Sequence, residues 1–168
     1  MINALSPLDG RYLTKTEAIR PFFSEKALIR ARLQVEIEWF LALSSHPDIK
    51  ECKRVAAGDK KKLRSILERF NTKSAEEIKR IEKQTNHDVK AVEYFLKSKM
   101  KKIPGCKKSL EFVHFALTSE DVNNLAYGIM IHGALKEVIK PELKSLISKL
   151  SGLSKRWGKI EMLSLTHG

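Results

Sequence analysis

The sequence predicts an all-α fold for this chain of 168 residues. Three observations support that prediction. Apolar residues recur at intervals of three and four along most of the chain, which is the period of an amphipathic helix. Residues that commonly cap helices precede most of these apolar runs. A hydrophobic content of 42% in a chain of this length is enough for one domain with a core.

The first helices follow an irregular amino-terminal stretch. Pro7-Leu8-Asp9-Gly10 is typical of a turn. Ser24 is expected to cap a helix that ends near His46-Pro47. A second helix is predicted from about Asp59 to Asn71, with its apolar residues facing inward.

Three more helix starts are predicted in the middle of the chain. Ser74-Ala-Glu-Glu77 has the form of a capping box and should open a short helix. Thr85-Asn86-His87-Asp88 then interrupts, and its polar residues can cap a further helix that stops by Pro104-Gly105. Ser109 is expected to start a short helix that reaches Phe115.

The strongest helix start in the sequence is Ser119. Two carboxylates follow it in the first turn, where they suit the helix dipole. The period of three and four then continues to Trp157, with Pro141 inside it, which should kink the helix. At about 1.5 Å per residue such a helix would be about 55 Å long. That length is typical of a helical bundle rather than of a small globule.

The chain is therefore predicted to contain a small helical domain, residues 1–108, and the first long helix of a larger bundle, residues 109–168. No repeat or low-complexity tract interrupts either part. The longest strongly apolar run, Trp39 to Leu43, is too short to span a membrane, and no signal peptide is recognisable. We therefore expect no membrane partner.

Cysteine and histidine usage indicates a reducing, cytoplasmic setting without a metal. The two cysteines, Cys52 and Cys106, are too far apart for a zinc knuckle or a redox pair. No pair of histidines has the spacing that would place two ligands on one helical face. We expect neither a metal nor a cofactor.

The net charge of +12 is concentrated in one part of the chain, because residues 51–110 contain 18 of the 32 basic residues and only 8 of the 20 acidic ones. The lysine runs there are not interleaved with aromatic residues, as they would be on a single-strand nucleic-acid surface. Most of these lysines are expected on a solvated surface, where the surplus would attract a small polyanionic substrate.

Three polar stretches fall where helices begin or break: residues 85–88, 114–119 and 165–168. Free amides at the helix start give Thr118 and Ser119 the means to bind a carboxylate or a phosphate, and a plain serine cap is the alternative. His87 lies at a polar break rather than on an apolar face. His114, between Val113 and Phe115, is expected to be a packed histidine rather than a ligand.

The run QTNHDVKAVEYFLK, together with FVHFALTSEDVNN, LSLTHG and the amino-terminal SPLDGRY, resembles the adenylosuccinate lyases of the fumarase/aspartase superfamily. The resemblance covers Ser6 to Gly168. It implies β-elimination of fumarate from adenylosuccinate, giving AMP, and from the succinyl-carboxamide imidazole ribotide SAICAR, giving AICAR. It also implies a homotetramer in which three subunits build each site, and it makes residues 109–168 the start of the superfamily's central bundle.

Eight positions match functional residues of this family. His167, in the Thr-His-Gly motif, matches the general acid that protonates the leaving nitrogen. The positions that match substrate-binding residues are Arg11, Tyr12, Asn86, His87, Asp88, Thr118 and Ser119. By the same resemblance, the first two contact the nucleotide, the next three line the site, and the last two hold a carboxylate of the succinyl group.

The family's catalytic base has no counterpart in these 168 residues. In the family the base is a serine on a loop with the pattern Gly-Ser-Ser-x-Met-Pro-x-Lys-x-Asn. We therefore expect this chain to be a piece of a longer lyase and to be inactive alone. The alternatives are a helical module that binds a nucleotide or a dicarboxylate without catalysis, and, less favoured, a basic helical domain that binds nucleic acid.

Overall fold

The computed structural model describes residues 3–163 and confirms the all-α prediction, because this range contains helices and no strand. The seven α-helical segments of the described range are α1 (Arg20–Phe23), α2 (Glu25–Leu43), α3 (Ala57–Glu68), α4 (Thr72–Thr85), α5 (Asp88–Met100), α6 (Ser119–Ala134) and α7 (Lys140–Trp157). Short 3-10 turns occur at Glu17–Ile19, Pro104–Cys106 and Leu110–Phe112, and a π-helical segment occurs at Leu135–Ile139.

Helix α2 is at the centre of the first part of the fold. Its predicted cap is confirmed, since the Ser24 hydroxyl accepts a hydrogen bond from the Ala27 amide at 3.3 Å. One face of α2 packs into the larger apolar cluster, whose members also come from α3, α4 and α5. A second face contributes Ala31 and Val35 to a smaller cluster with residues of α5 and α6. Helix α2 is thus buried on two sides.

Two predicted helix starts were wrong. Helix α4 begins at Thr72 rather than at Ser74, because the Asn71 side chain is the cap and accepts from the Ser74 amide at 3.1 Å. The helix expected from Ser109 is only one 3-10 turn, Leu110–Phe112. Left-handed backbone at His114 (φ 63°) and Ala116 (φ 58°) prevents a helix from continuing through this stretch.

The backbone is helical without a gap from Ser119 to Trp157, as the sequence predicted. The π-helical segment Leu135–Ile139 ends two residues before Pro141, which has no amide donor and crowds the preceding turn. The widened turn is where the helix accommodates this proline.

The chain divides into two compact units, residues 1–131 and 132–168. In the second unit, α7 has no buried residue. No helix of the described range has both the length and the apolar content needed to cross a membrane. The boundary between residues 108 and 109 stays a prediction.

Candidate functional site

The start of α5 is built from three consecutive polar residues. Asn86 closes α4 in the left-handed conformation (φ 51°), which asparagine tolerates better than most residues. His87 then caps α5, since its Nδ1 accepts the Lys90 amide hydrogen at 3.2 Å. An accepting Nδ1 carries no proton, so a neutral His87 holds its proton on Nε2. The half-exposed imidazole therefore offers a hydrogen-bond donor to a ligand.

Both carboxylate oxygens of Asp88 have partners within the fold. Oδ1 accepts from the Val89 amide at 2.8 Å, and Oδ2 pairs with the Arg32 guanidinium at 2.8 Å. Burial alone would raise the pKa of Asp88. The Val89 amide and the Arg32 charge outweigh that cost and lower the pKa. Asp88 is thus held as a carboxylate and is already paired.

Arg32 lies on α2 and is only 6% exposed. Besides its ion pair with Asp88, its Nε donates to the Asn123 Oδ1 of α6 at 2.9 Å. Val89 and Val122 belong to the same small apolar cluster beside it. Through these contacts the first turns of α5 and α6 lie close to each other on α2. Since a helix start presents free amides and positive potential, this arrangement suits an anion.

Thr118, rather than Ser119, caps α6. The Thr118 hydroxyl accepts from the Asp121 amide at 3.3 Å, and the Thr118 amide donates to Asp121 Oδ2 at 2.7 Å. The hydroxyl also donates to Asp121 Oδ2 at 2.7 Å, and these hydrogen bonds lower the pKa of Asp121. A serine cap at Ser119 is therefore ruled out. The Ser119 hydroxyl makes no hydrogen bond to any residue between 3 and 163, so it is available to a ligand.

His114 is packed, as expected, and its neighbours are buried carboxylates. Its Nδ1 lies 2.6 Å from Glu36 Oε1 and 3.9 Å from Glu93 Oε1. The Glu36 side chain is fully buried, and its Oε2 has no hydrogen-bond partner in the described range. Burial raises the pKa of Glu36, and the hydrogen bond and charge of His114 offset only part of that increase. The backbone at His114 is left-handed, and sparsely populated conformations of this kind cluster at functional sites.

An open cavity of about 620 Å³ adjoins the start of α5. Its lining residues come from the last two turns of α4, the break that follows them and the first residue of α5: Lys79, Glu82, Lys83, Asn86, His87 and Asp88. Lys79 is already paired, at 2.7 Å with Glu25 and at 2.9 Å with Glu82. The cavity is large enough for part of a nucleotide and has cationic groups at its wall.

The other predicted site residues are less closely tied to these two helix starts. The Arg11 guanidinium lies 5.4 Å from the centre of the Tyr12 ring, and both side chains are exposed. Among residues 3–163, no hydrogen bond or ion pair joins Arg11 or Tyr12 to residues 86–88 or 118–119. His167 lies outside the described residues, so its assignment stays a prediction.

Four residues of this region escaped prediction from the sequence: Arg32, Glu36, Glu93 and Asn123. The first three are charged residues within helices, and charged residues are rarely buried. One signal was available. Arg32 and Glu36 are four apart and interrupt an otherwise apolar face of their helix, which is unusual for a face that packs into a core.

Comparison with known families defines the class of protein. Residues 10–168 match the model of a family described as Lyase, and the chain belongs to that family. Among its relatives are adenylosuccinate lyases of Legionella pneumophila (strain Corby), Escherichia coli (strain K12) and Dictyostelium discoideum, which are 47%, 46% and 44% identical to it. The resemblance to adenylosuccinate lyases is thus confirmed.

These alignments extend over 167, 167 and 170 residues and cover 99% of this chain in each case. They cover only 37%, 37% and 36% of the three relatives. The chain therefore spans little more than a third of the length of the curated relatives it matches.

Proposed function

We propose that this chain forms part of an adenylosuccinate lyase, which eliminates fumarate from adenylosuccinate to give AMP and from SAICAR to give AICAR. One observation carries the proposal. The Asn86-His87-Asp88 and Thr118-Ser119 motifs occupy the starts of α5 and α6, and Arg32 joins Asp88 to Asn123, one turn after Ser119. Identity of 44 to 47% to enzymes of that name supports the same substrates.

The geometry suits an elimination that builds negative charge on a carboxylate. Such a reaction needs a base beside the carboxylate, donors for the developing charge and an acid for the departing nitrogen. The free amides at the start of α6 and the free Ser119 hydroxyl supply donors. The Nε2–H of His87 supplies another at the start of α5.

His167 is the proposed general acid. An imidazole has a reference pKa of about 6.5, so it can deliver a proton near neutral pH. No residue of the 168 matches the family's base, and we propose that the chain alone does not turn over. The reaction then depends on residues supplied by a longer protein.

We propose a homotetramer for the complete enzyme. In support, α7 exposes an apolar stripe that includes Leu146, Ile147 and Leu150. A contiguous apolar face of this kind marks an interaction surface. We also propose a cytoplasmic location, supported by the two buried and unpaired thiols of Cys52 and Cys106.

The test is fumarate release from adenylosuccinate by the protein extended to the length of its relatives. His167→Ala should lower kcat by at least about 100-fold, the contribution typical of a general acid. His46→Ala is the matched control, because His46 is exposed and distant in sequence from every motif, and it should keep the parent rate.

Three outcomes separate the hypotheses. An extended protein that releases no fumarate contradicts the lyase proposal. An active parent whose His167→Ala variant is unimpaired contradicts only the role of His167. Saturable binding of adenylosuccinate without turnover would favour the binding-module alternative.

A further inference from the structure

The guanidinium of Arg32 is buried inside the fold. The residue is 6% exposed, and its guanidinium contacts one acceptor on α5 and another on α6. Such a group cannot act as a surface cation for an anionic ligand. A buried charge is retained only where it is paired, so its role must lie in what it joins.

We propose that Arg32 and Asp88 are a positioning pair, which sets the relative placement of the starts of α5 and α6. This inference rests on the proposed function, since both helix starts bear its substrate-binding motifs. Asp88 then acts on the substrate through the position of His87, because each of its oxygens already has a partner within the fold that fixes its orientation. The resemblance had placed Asp88 among the residues that line the site.

The shape of the arginine side chain explains why this residue type suits the position. Its NH2 group binds Asp88 Oδ2 at 2.8 Å while its Nε binds Asn123 Oδ1 at 2.9 Å. Both donors belong to one rigid planar group, so the two acceptors are held at a fixed separation. A lysine would carry the same charge on one atom and could not fix that separation.

The placement matters because the two motifs act on the same substrate. The His87 donor precedes Asp88 directly, and Ser119 is one helical turn before Asn123. In the proposed reaction, a change of about 1 Å in the separation of such groups can cost about 100-fold in rate. Arg32 would therefore influence catalysis without touching the substrate.

The test compares Arg32→Lys with Arg30→Lys in the extended protein. Arg30 lies on the same helix but is exposed, so it controls for the loss of a guanidinium from α2. At a temperature where both variants are folded, Arg32→Lys should lower kcat by about 10- to 100-fold with less than about threefold change in KM. Arg30→Lys should match the parent in both.

Amide hydrogen exchange supplies a readout independent of activity. In Arg32→Lys, protection should fall together at the first hydrogen-bonded amides of α5 and α6, those of Ala91 and Val122 onward, since both helices lose the same support. Equal protection in Arg32→Lys and Arg30→Lys would overturn the proposal. So would a loss confined to one of the two helix starts.

A double variant guards against simple misfolding. Asp88→Asn alone leaves the Arg32 charge without its carboxylate partner and should loosen both helix starts. Adding Arg32→Gln removes the unpaired charge and should restore part of the protection at both. Purely additive losses in the double variant would show that the two residues are not coupled and would overturn the pair.

The proposed function and this inference fail in different ways. A parent that releases no fumarate contradicts the function and leaves hydrogen exchange to decide the role of Arg32. An active parent with an unchanged kcat in Arg32→Lys contradicts the positioning role alone.

Discussion

Helices α2 and α7 have nearly the same length, 19 and 18 residues, and opposite surroundings. Eleven residues of α2 are buried, and two of them, Arg32 and Glu36, are charged. No residue of α7 is buried, although leucines recur along it at helical spacing. Apolar content therefore does not decide burial here. The first unit supplies partners that bury α2, and the described part of the second unit supplies none that buries α7.

The largest expected difference between the two helices comes from removing one apolar side chain from each. Phe40 of α2 is fully buried, and Phe40→Ala should lower the free energy of unfolding by about 3–5 kcal/mol. Leu150 of α7 is 56% exposed, and Leu150→Ala should change that free energy by no more than about 0.5 kcal/mol. Urea unfolding of the 168-residue chain at a concentration where it is monomeric measures both values.

The same pair of variants separates folding from association. Leu150→Ala should shift sedimentation at high concentration towards the monomer, since it removes part of the exposed stripe. Phe40→Ala should not do so while the chain remains folded. Equal losses of stability in the two variants would show that α7 is buried within the monomer and would remove the contrast.

The sequence predicted the helices of this fold better than their surroundings. The period of three and four predicted which residues of α2 face inward. The Ser24 cap was predicted from the preference for serine at helix starts. The caps of α4 and α6 were misplaced by three residues and by one, because several capping residues stand close together at each start. Hydrogen-bond geometry decides among such candidates, and the sequence alone does not fix it.

The site could be predicted only as separate stretches. The motifs at residues 86–88 and 118–119 were identifiable, but nothing local indicated that Arg32 joins Asp88 to Asn123 of α6. Glu36 and His114 are in contact although they are 78 positions apart, and the backbone at His114 is left-handed. No sequence pattern predicted either feature. Contacts of this kind follow from the packing of helices that are distant in sequence.

The burial of Glu36 on α2 should make the stability of the fold depend on pH. The folded state binds the Glu36 proton more tightly than the unfolded chain, because burial raises the pKa of this carboxyl. Its stabilising contribution is complete below the unfolded pKa and is lost as pH rises through the folded value. Each pH unit between the two pKa values corresponds to about 1.4 kcal/mol.

Glu36→Gln keeps the shape of the side chain but does not titrate. Its free energy of unfolding should therefore decline less than that of the parent between about pH 4 and about pH 8. Glu38→Gln is a control whose stability should respond to pH in the opposite direction. The hydrogen bonds from Arg64 lower the pKa of Glu38, so the contribution of Glu38 to stability is lost on acidification. Parallel pH profiles for Glu36→Gln and the parent would mean that Glu36 ionises as it does in the unfolded chain.

The smallest expected effects come from replacing one serine in each helix, the cap Ser24 of α2 and the interior Ser148 of α7. Ser24→Ala removes the cap of α2 and should cost about 1 kcal/mol. Helix α7 follows the π-helical segment and has no side-chain cap, and Ser148 is an exposed residue in its interior. Ser148→Ala should add a few tenths of a kcal/mol, since alanine has the higher helix propensity. The contrast would be contradicted if both substitutions changed the free energy of unfolding in the same direction. Of the two serines, only Ser24 accepts a hydrogen bond that caps its helix.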